Sequence, residues 1–261
     1  MERDLAVITG AAKGIGEATA RRFRRQGHQV IGVATSPRPP SLTGDPGVHW
    51  VQGDVADVAT WAAVHDRYQA LGTPPATLVL NAARALIGTA VTLELQEWKT
   101  LFDGNFFGAV LGAKTCLPDM IAGGGGAMVV VSSVNGWMAE QGLIAYSCTK
   151  AVLIEFARSI AVDHAREGIR ANVVAPGTTD TPAFRGAMGT APDPGAWVAE
   201  RARRNPLGRI LSADEIASAV WFLASEESSG MTGSVVTVDA GLSASFDFRN
   251  PDEQGYRESE A

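Results

Sequence analysis

Thr9-Gly10-Ala11-Ala12-Lys13-Gly14-Ile15-Gly16 follows the apolar run Leu5-Ala6-Val7-Ile8 and opens a stretch of helical period from Gly16 to Gln26. Glycine lets the chain turn tightly and brings backbone close to a ligand with no Cβ in the way. The helix start that follows offers unpaired N–H groups and the positive end of its dipole, which together suit a pyrophosphate. The order is Gly-x-x-x-Gly-x-Gly, not the Gly-x-Gly-x-x-Gly of the common dinucleotide fingerprint. Three glycines could also serve a plain packing turn; the strand before them and the helix after them favour a nucleotide site. Gly10, Ala12, Lys13, Gly14, Ile15 and Gly16 are the loop's binding candidates.

Outward from this loop, short apolar runs alternate with helical stretches. Strands are expected at Val30–Val33, Val48–Gln52, Thr77–Leu80, Met128–Val131, Arg170–Val174 and Val235–Val238. Helices are expected at Val58–Ala70, Glu94–Met120, Tyr146–Ala165 and Ala213–Ala224. Strands that are β-branched and apolar on both faces, separated by helices, predict a parallel sheet covered on each side. Right-handed crossovers then give an α/β, Rossmann-type doubly wound sheet of about seven strands. No linker divides the chain and no repeat of fixed period occurs, so one dinucleotide-binding and catalytic domain is expected over residues 1–243. Residues 182–208, broken by Gly186, Gly189, Pro192, Pro194 and Gly195, read as an irregular substrate-loop insertion. Residues 244–261 read as a polar tail, poorly ordered or docked on a neighbouring subunit.

Composition removes several classes of function. The 261 residues carry 28 acidic and 22 basic side chains, a net charge of −6, so general affinity for nucleic acid is not expected. The basic run Arg21-Arg22-Phe23-Arg24-Arg25 reads as the polar face of a helix. Two cysteines, Cys116 and Cys148, cannot found a disulfide framework, which fits a reducing compartment. No stretch approaches the ~20 apolar residues of a membrane span, and the first residues lack a signal peptide's profile, so a cytoplasmic protein is expected. The four histidines show no metal-ligand spacing, and no metal is expected. Gly123–Gly126 precedes a strand and reads as a connection, not a phosphate loop.

Chemistry is concentrated in Tyr146-Ser147-Cys148-Thr149-Lys150. Tyr and Lys four positions apart lie one turn apart on one helix face. A free phenol ionises near pH ~10, too high for a base at neutrality, and a nearby ammonium favours the phenolate. By itself the spacing is common; its place after a strand ending in Ser132-Ser133, at the sheet's carboxyl edge, gives it weight.

Taken together, these motifs resemble the short-chain dehydrogenase/reductase family, from about Leu5 to Gly241. Asp54 in Gly53-Asp54-Val55 matches the family's adenine-contacting aspartate. Leu80-Asn81-Ala82-Ala83 matches its Asn-Asn-Ala-Gly motif, with Leu and Ala replacing the first Asn and the Gly. Pro176-Gly177-Thr178-Thr179-Asp180-Thr181 matches the Pro-Gly turn whose Thr, here Thr181, contacts the nicotinamide carboxamide; Thr179 belongs to the same cofactor set. Val238-Asp239-Ala240-Gly241 resembles the Asp-Gly-Gly that closes the last strand. The resemblance implies a catalytic set of Asn105, Ser133, Tyr146 and Lys150. Ser133, thirteen residues before Tyr146, polarises the substrate oxygen, Tyr146 moves the proton, and Asn105 supports a water relay to Lys150. Ser132 is the structural alternative to Ser133.

The resemblance also implies a small-molecule alcohol or ketone substrate and a homotetramer built through the long helices Glu94–Met120 and Tyr146–Ala165. Its ketoreductase-like and cyclic dihydrodiol dehydrogenase-like members are both compatible. Phe184, Met188 and Trp197, with Trp137, Met138 and Leu143, suggest a partly apolar pocket. No acid follows Val30-Ile31-Gly32-Val33, where Ala34-Thr35-Ser36 stands, so nothing would repel a 2′-phosphate. With Lys13 in the glycine loop and Arg38 nearby, NADP(H) is preferred and NAD(H) is the alternative. A nucleotide-sensing regulator on the same fold is the competing class.

Overall fold

The computed structural model describes residues 4–188 and 193–244. Its main sheet has seven parallel strands in the order β3-β2-β1-β4-β5-β6-β9. They span Leu5–Thr9 (β1), Gln29–Ala34 (β2), Val48–Gln52 (β3), Thr77–Leu80 (β4), Gly126–Val131 (β5), Ile169–Pro176 (β6) and Val235–Val238 (β9). A second pairing joins the two-residue strands Thr179–Asp180 (β7) and Leu211–Ser212 (β8). The helices are Gly14–Arg25 (α1), Val58–Leu71 (α2), Leu95–Phe102 (α3), Gly108–Ala122 (α4), Ile144–His164 (α5), Pro182–Met188 (α6), Pro194–Arg203 (α7) and Ala213–Ala224 (α8).

Alternation along the strands divides the core into two layers. On β1, Leu5 and Val7 join Ile31, Leu78, Met128 and Leu153 on one face. Ala6 and Ile8 join Val30, Val79, Phe23 and Ile216 on the other. All five residues of β1 are buried, as the apolar runs require for strands with helices on both faces. In chain order the sheet grows from β1 outward to β3, then reverses and resumes at β4 on the other side of β1. The loops after β1 and β4 therefore diverge to opposite faces, and such a reversal is where this architecture opens a crevice at the strands' carboxyl ends.

Two expectations change. The region 182–208 is not wholly irregular: it holds α6 and α7. Each begins with a capping side chain followed by proline. Thr181 Oγ1 accepts the Phe184 N–H at 3.2 Å, and Asp193 Oδ1 accepts the Ala196 N–H at 2.9 Å. Proline at the first helical position lacks only an N–H that would be unpaired anyway. The helix expected over Glu94–Met120 also differs, being interrupted by a π-turn at Asp103–Phe107 between α3 and α4. The tail expected at 244–261 lies, save Ala244, outside the described residues.

The features read as structural have partners. Arg24 forms an ion pair with Asp45 at 2.8 Å and Arg21 one with Asp214 at 3.3 Å, while Phe23 is buried. Gly124 and Gly125 take φ of +95° and +109° in the connection from α4 to β5. Among the described residues no helix is long and apolar enough to cross a membrane, and no cluster of His, Cys, Asp or Glu could hold a metal.

Candidate active site

A cleft of about 1400 Å³ opens at the carboxyl edge of the sheet. It gathers Gly10, Ala12, Lys13, Gly14, Ile15, Thr35, Asp54, Val55, Asn81, Ala82, Ala83, Asn105, Ser133, Tyr146, Lys150, Pro176, Gly177, Thr179 and Thr181 in one place. Of the catalytic set and the residues matched to the family's cofactor motifs, only Gly16 is absent from the wall. It sits behind the loop, where a Cβ would stand 2.2 Å from the Gly10 carbonyl oxygen. At Gly10, φ is +67° and a Cβ would meet Asn81 Nδ2 at 2.8 Å. The backbone is thus packed too closely for side chains; the Gly10 and Ala11 N–H groups donate to the Val33 carbonyl, which leaves those at the start of α1 as the surface a phosphate would meet.

Thr9 ties this loop to β4. Its buried hydroxyl donates to the Val79 carbonyl and accepts the N–H groups of Asn81, at 2.9 Å, and Ala82, at 3.0 Å. Asn81 Nδ2 in turn donates to the Thr9 carbonyl at 2.9 Å. Sequence reading missed Thr9; a hydroxyl closing an otherwise apolar strand was the available signal.

Tyr146 and Lys150 share one face of α5. Lys150 Nζ lies 5.5 Å from the Tyr146 ring centroid and donates to the Val131 carbonyl at 2.8 Å. Ser132 Oγ donates to the Lys150 carbonyl at 2.7 Å and so belongs to the strand-end scaffold. Ser133 Oγ accepts the Asn135 N–H at 3.1 Å, and its own hydrogen faces Asn135 Oδ1 at 3.4 Å and the Pro176 carbonyl at 3.5 Å. Burial pushes the Tyr146 phenol up to about 12 and the Glu140 charge adds to this, while a hydrogen bond with Ser133 pulls the other way. Burial also brings the Lys150 amine down to about 7. This corrects the expectation of a lowered phenol only for the protein by itself, where burial places it above its ordinary value. Low-dielectric surroundings disfavour both charged forms, and in the protein by itself that effect prevails.

Asn105 sits inside the π-turn, a geometry often found at functional sites. Its Oδ1 accepts the Arg84 N–H at 2.9 Å, and its Nδ2 donates to the Arg84 carbonyl at 2.9 Å and to Thr149 Oγ1 at 3.0 Å. Both amide hydrogens and one lone pair are committed, so the side chain fixes the turn against α5. Asp54 is likewise engaged: Oδ1 accepts the Ala56 N–H and Oδ2 pairs with Arg84 at 2.9 Å. Arg84, missed in the sequence, lines the same cleft.

The family described as Enoyl-(Acyl carrier protein) reductase matches residues 10–243. The chain is 36% identical over 247 residues to cis-4-hydroxycyclohexanecarboxylate dehydrogenase of Sinomonas cyclohexanicum, covering 92% of this chain and 96% of that protein. It is 32% identical over 244 residues to the 3-oxoacyl-(acyl-carrier-protein) reductase of Escherichia coli, covering 92% and 98%. The chain belongs to the short-chain dehydrogenase/reductase family. Aldohexose dehydrogenase of Thermoplasma acidophilum, in ligand-free form, has the same fold with a TM-score of 0.87, 32% identity and coverage of 95% and 97%. L-Sorbose reductase of Gluconobacter frateurii, complexed with NADPH and L-sorbose, gives 0.86, 28%, and 92% and 96%. This short-chain dehydrogenase/reductase is an NAD(P)-dependent oxidoreductase acting on CH–OH groups.

Charge in the cleft suits that cofactor. Lys13, Arg84, Lys150, Arg201 and Arg204 line it against Asp54 and Glu140, although the chain as a whole is acidic. A concave wall with a cationic excess concentrates anions. Two expectations are corrected. Arg38 is absent from the wall because its Nη2 donates to the Val48 carbonyl at 2.7 Å. Trp137 is absent too and is 47% exposed, because the 3₁₀ turn Val134–Gly136 delivers Met138 to the cleft instead. Leu143, Phe184 and Trp197 do line it; the Met188 side chain lies outside the described residues.

The buried lysine makes stability depend on pH. Its amine is held near 7 in the folded protein against 10.5 ordinarily, so between these values the unfolded chain binds more protons. The penalty of burying the ammonium is complete below pH 7 and is relieved as pH rises toward 10.5. The wild type should therefore gain thermal stability relative to Lys150→Met between pH 7 and 10. Melting curves of the two proteins that stay parallel across that range would contradict it.

Proposed function

We infer that this enzyme interconverts a secondary alcohol and a ketone with NADP(H), with Tyr146 as the general acid and base. The observation that carries this reading is the Tyr146–Lys150 pair, on one helix face and at the wall of a cationic cleft. The glycine loop and the start of α1 would hold the pyrophosphate, Asn81 to Ala83 the ribose side, and Thr179 and Thr181 the nicotinamide end. When bound, the cofactor supplies or accepts the hydride. Ser133, whose hydroxyl is aimed by Asn135, steadies the substrate oxygen. Tyr146 gives that oxygen a proton in reduction and takes one in oxidation. Lys150, fixed by the Val131 carbonyl, replenishes the phenol, and Asn105 shapes the π-turn behind it.

NADP is favoured over NAD because Thr35 and Ser36, not an acid, stand where the cleft leaves β2, and Lys13 is exposed at the start of α1. The similarity to a reductase complexed with NADPH supports the same choice. A secondary alcohol is supported by relatives named for a hydroxycyclohexanecarboxylate and for sugars. A homotetramer through α4 and α5 is supported by the exposure of Phe107 beside α4 and of Val162 on α5.

Tyr146→Phe should reduce turnover of NADPH with a panel of ketones by at least about 10²-fold, since general acid–base catalysis contributes that much. NADPH affinity should change little; a variant that keeps full turnover would remove Tyr146 from the mechanism. Lys13→Ala should lower NADPH affinity roughly tenfold and leave NADH affinity nearly unchanged, the loss of one charge-assisted contact. Equal losses for both cofactors, measured by fluorescence titration, would refute the assignment of Lys13 to the 2′-phosphate.

A further inference from the structure

A continuous polar path runs from the catalytic serine to the helices that cover the cleft. Ser133 Oγ accepts the Asn135 N–H, and Asn135 Nδ2 donates to Glu140 Oε2 at 3.3 Å. The other oxygen of Glu140 accepts from Arg201 Nη1, on α7, sixty-one residues further along the chain. The Arg201 guanidinium lies 4.5 Å from the centroid of the Trp197 ring, and Trp197 stands 5.3 Å from Phe184 on α6. Arg201 and Glu140 are 23% and 32% exposed, so this pair is partly withdrawn from water. The ion pairs Arg204–Glu200 and Arg185–Asp180 are local by contrast, within α7 or back to β7.

Glu140 has a cost. A carboxylate at this place adds to the burial that keeps the Tyr146 phenol protonated, an effect opposed to making a base of it. A neutral side chain would avoid that penalty, but only a carboxylate can accept from Asn135 and Arg201 at once while balancing the guanidinium. An arginine stacked on an indole and hydrogen-bonded to a carboxylate holds a helix in one orientation better than apolar contact does.

We propose that Glu140 and Arg201 are positioning residues that lock the covering helix α7 to the turn aiming the Ser133 hydroxyl, so that cleft coverage and serine orientation are coupled. The catalytic consequence rests on the reading of Ser133 above; the mechanical coupling does not. Neither residue touches the reacting atoms. Their effect passes through Asn135 on one side and through Trp197 and Phe184 on the other. Opening α7 breaks the Arg201 contact and leaves Glu140 free to rotate away from Asn135.

Hydrogen exchange in the NADPH-bound protein tests the coupling with no need of a substrate. Glu140→Gln should speed amide exchange in α7 by about fivefold, and Arg201→Met should speed it equally in Val134–Gly136, across the cleft. The double variant should exchange no faster than either single one, since both remove the same link. Arg201→Lys, which keeps the charge and loses the planar guanidinium stacked on Trp197, should fall between. With the ketone that the enzyme reduces best, both single variants should lower kcat as well as raise KM. Unchanged exchange on the far side of the cleft in either variant, or additive effects in the double one, would overturn the proposal. Should Arg201→Met fail to fold, the near-isosteric Glu140→Gln decides alone. Loss of turnover in every assay with intact coupling would refute the reaction and leave the link standing.

Discussion

A lysine amine buried at the carboxyl edge of a parallel sheet, 2.8 Å from the carbonyl of Val131, is the constraint from which the site takes its form. An amine can be kept there only where a carbonyl, a polar turn and an accessible cleft offset its lost hydration. The end of β5 supplies the carbonyl, the first turn of α5 places the phenol beside it, and the π-turn with Asn105 closes the rear wall. The first two bound the connection from β5 to α5 and the third lies in the crossover from β4 to β5, all on one side of the reversal in sheet order between β1 and β4. The same reversal opens the glycine loop onto the cleft, so the groups suited to phosphate and those suited to proton transfer share one edge.

Burial also sets a tension within this arrangement. It raises the phenol and lowers the amine, so the protein alone disfavours the charged form of each. An oxidised nicotinamide brings positive charge to the cleft and favours the phenolate. Glu140 works against that, and its place there is understandable as the anchor of Arg201. Stability is spent at the site, as is usual where function requires buried polar groups.

The fold was legible because its signals are local: runs of Val, Ile and Leu short enough for strands, and helical stretches between them. Tyr146 and Lys150 were legible as a pair on one face because four residues is one helical turn, and as candidates because they follow a strand ending in Ser132-Ser133. The helices α6 and α7 were not legible because the reading of 182–208 rested on its glycines and prolines, and a proline that follows a capping Thr or Asp also opens a helix. Thr9 was hidden because its three hydrogen bonds join segments about seventy residues apart. Arg84–Asp54 and Arg201–Glu140 were hidden for the same reason: no spacing rule reports a tertiary ion pair. Arg38 was misplaced because nearness in sequence to β2 says nothing of the Val48 carbonyl that holds it. The phenol's pKa was misjudged because charge was weighed without burial.

With three tyrosines in the chain, NMR of protein labelled at the tyrosine ζ-carbon can follow Tyr146 through a pH titration, its signal assigned by Tyr146→Phe. The Tyr146 phenol should titrate above its ordinary value in the free protein and fall to or below pH ~10 on saturation with NADP. A Tyr146 signal indifferent to the oxidised cofactor would contradict the claim that this residue exchanges its proton with substrate beside a nicotinamide.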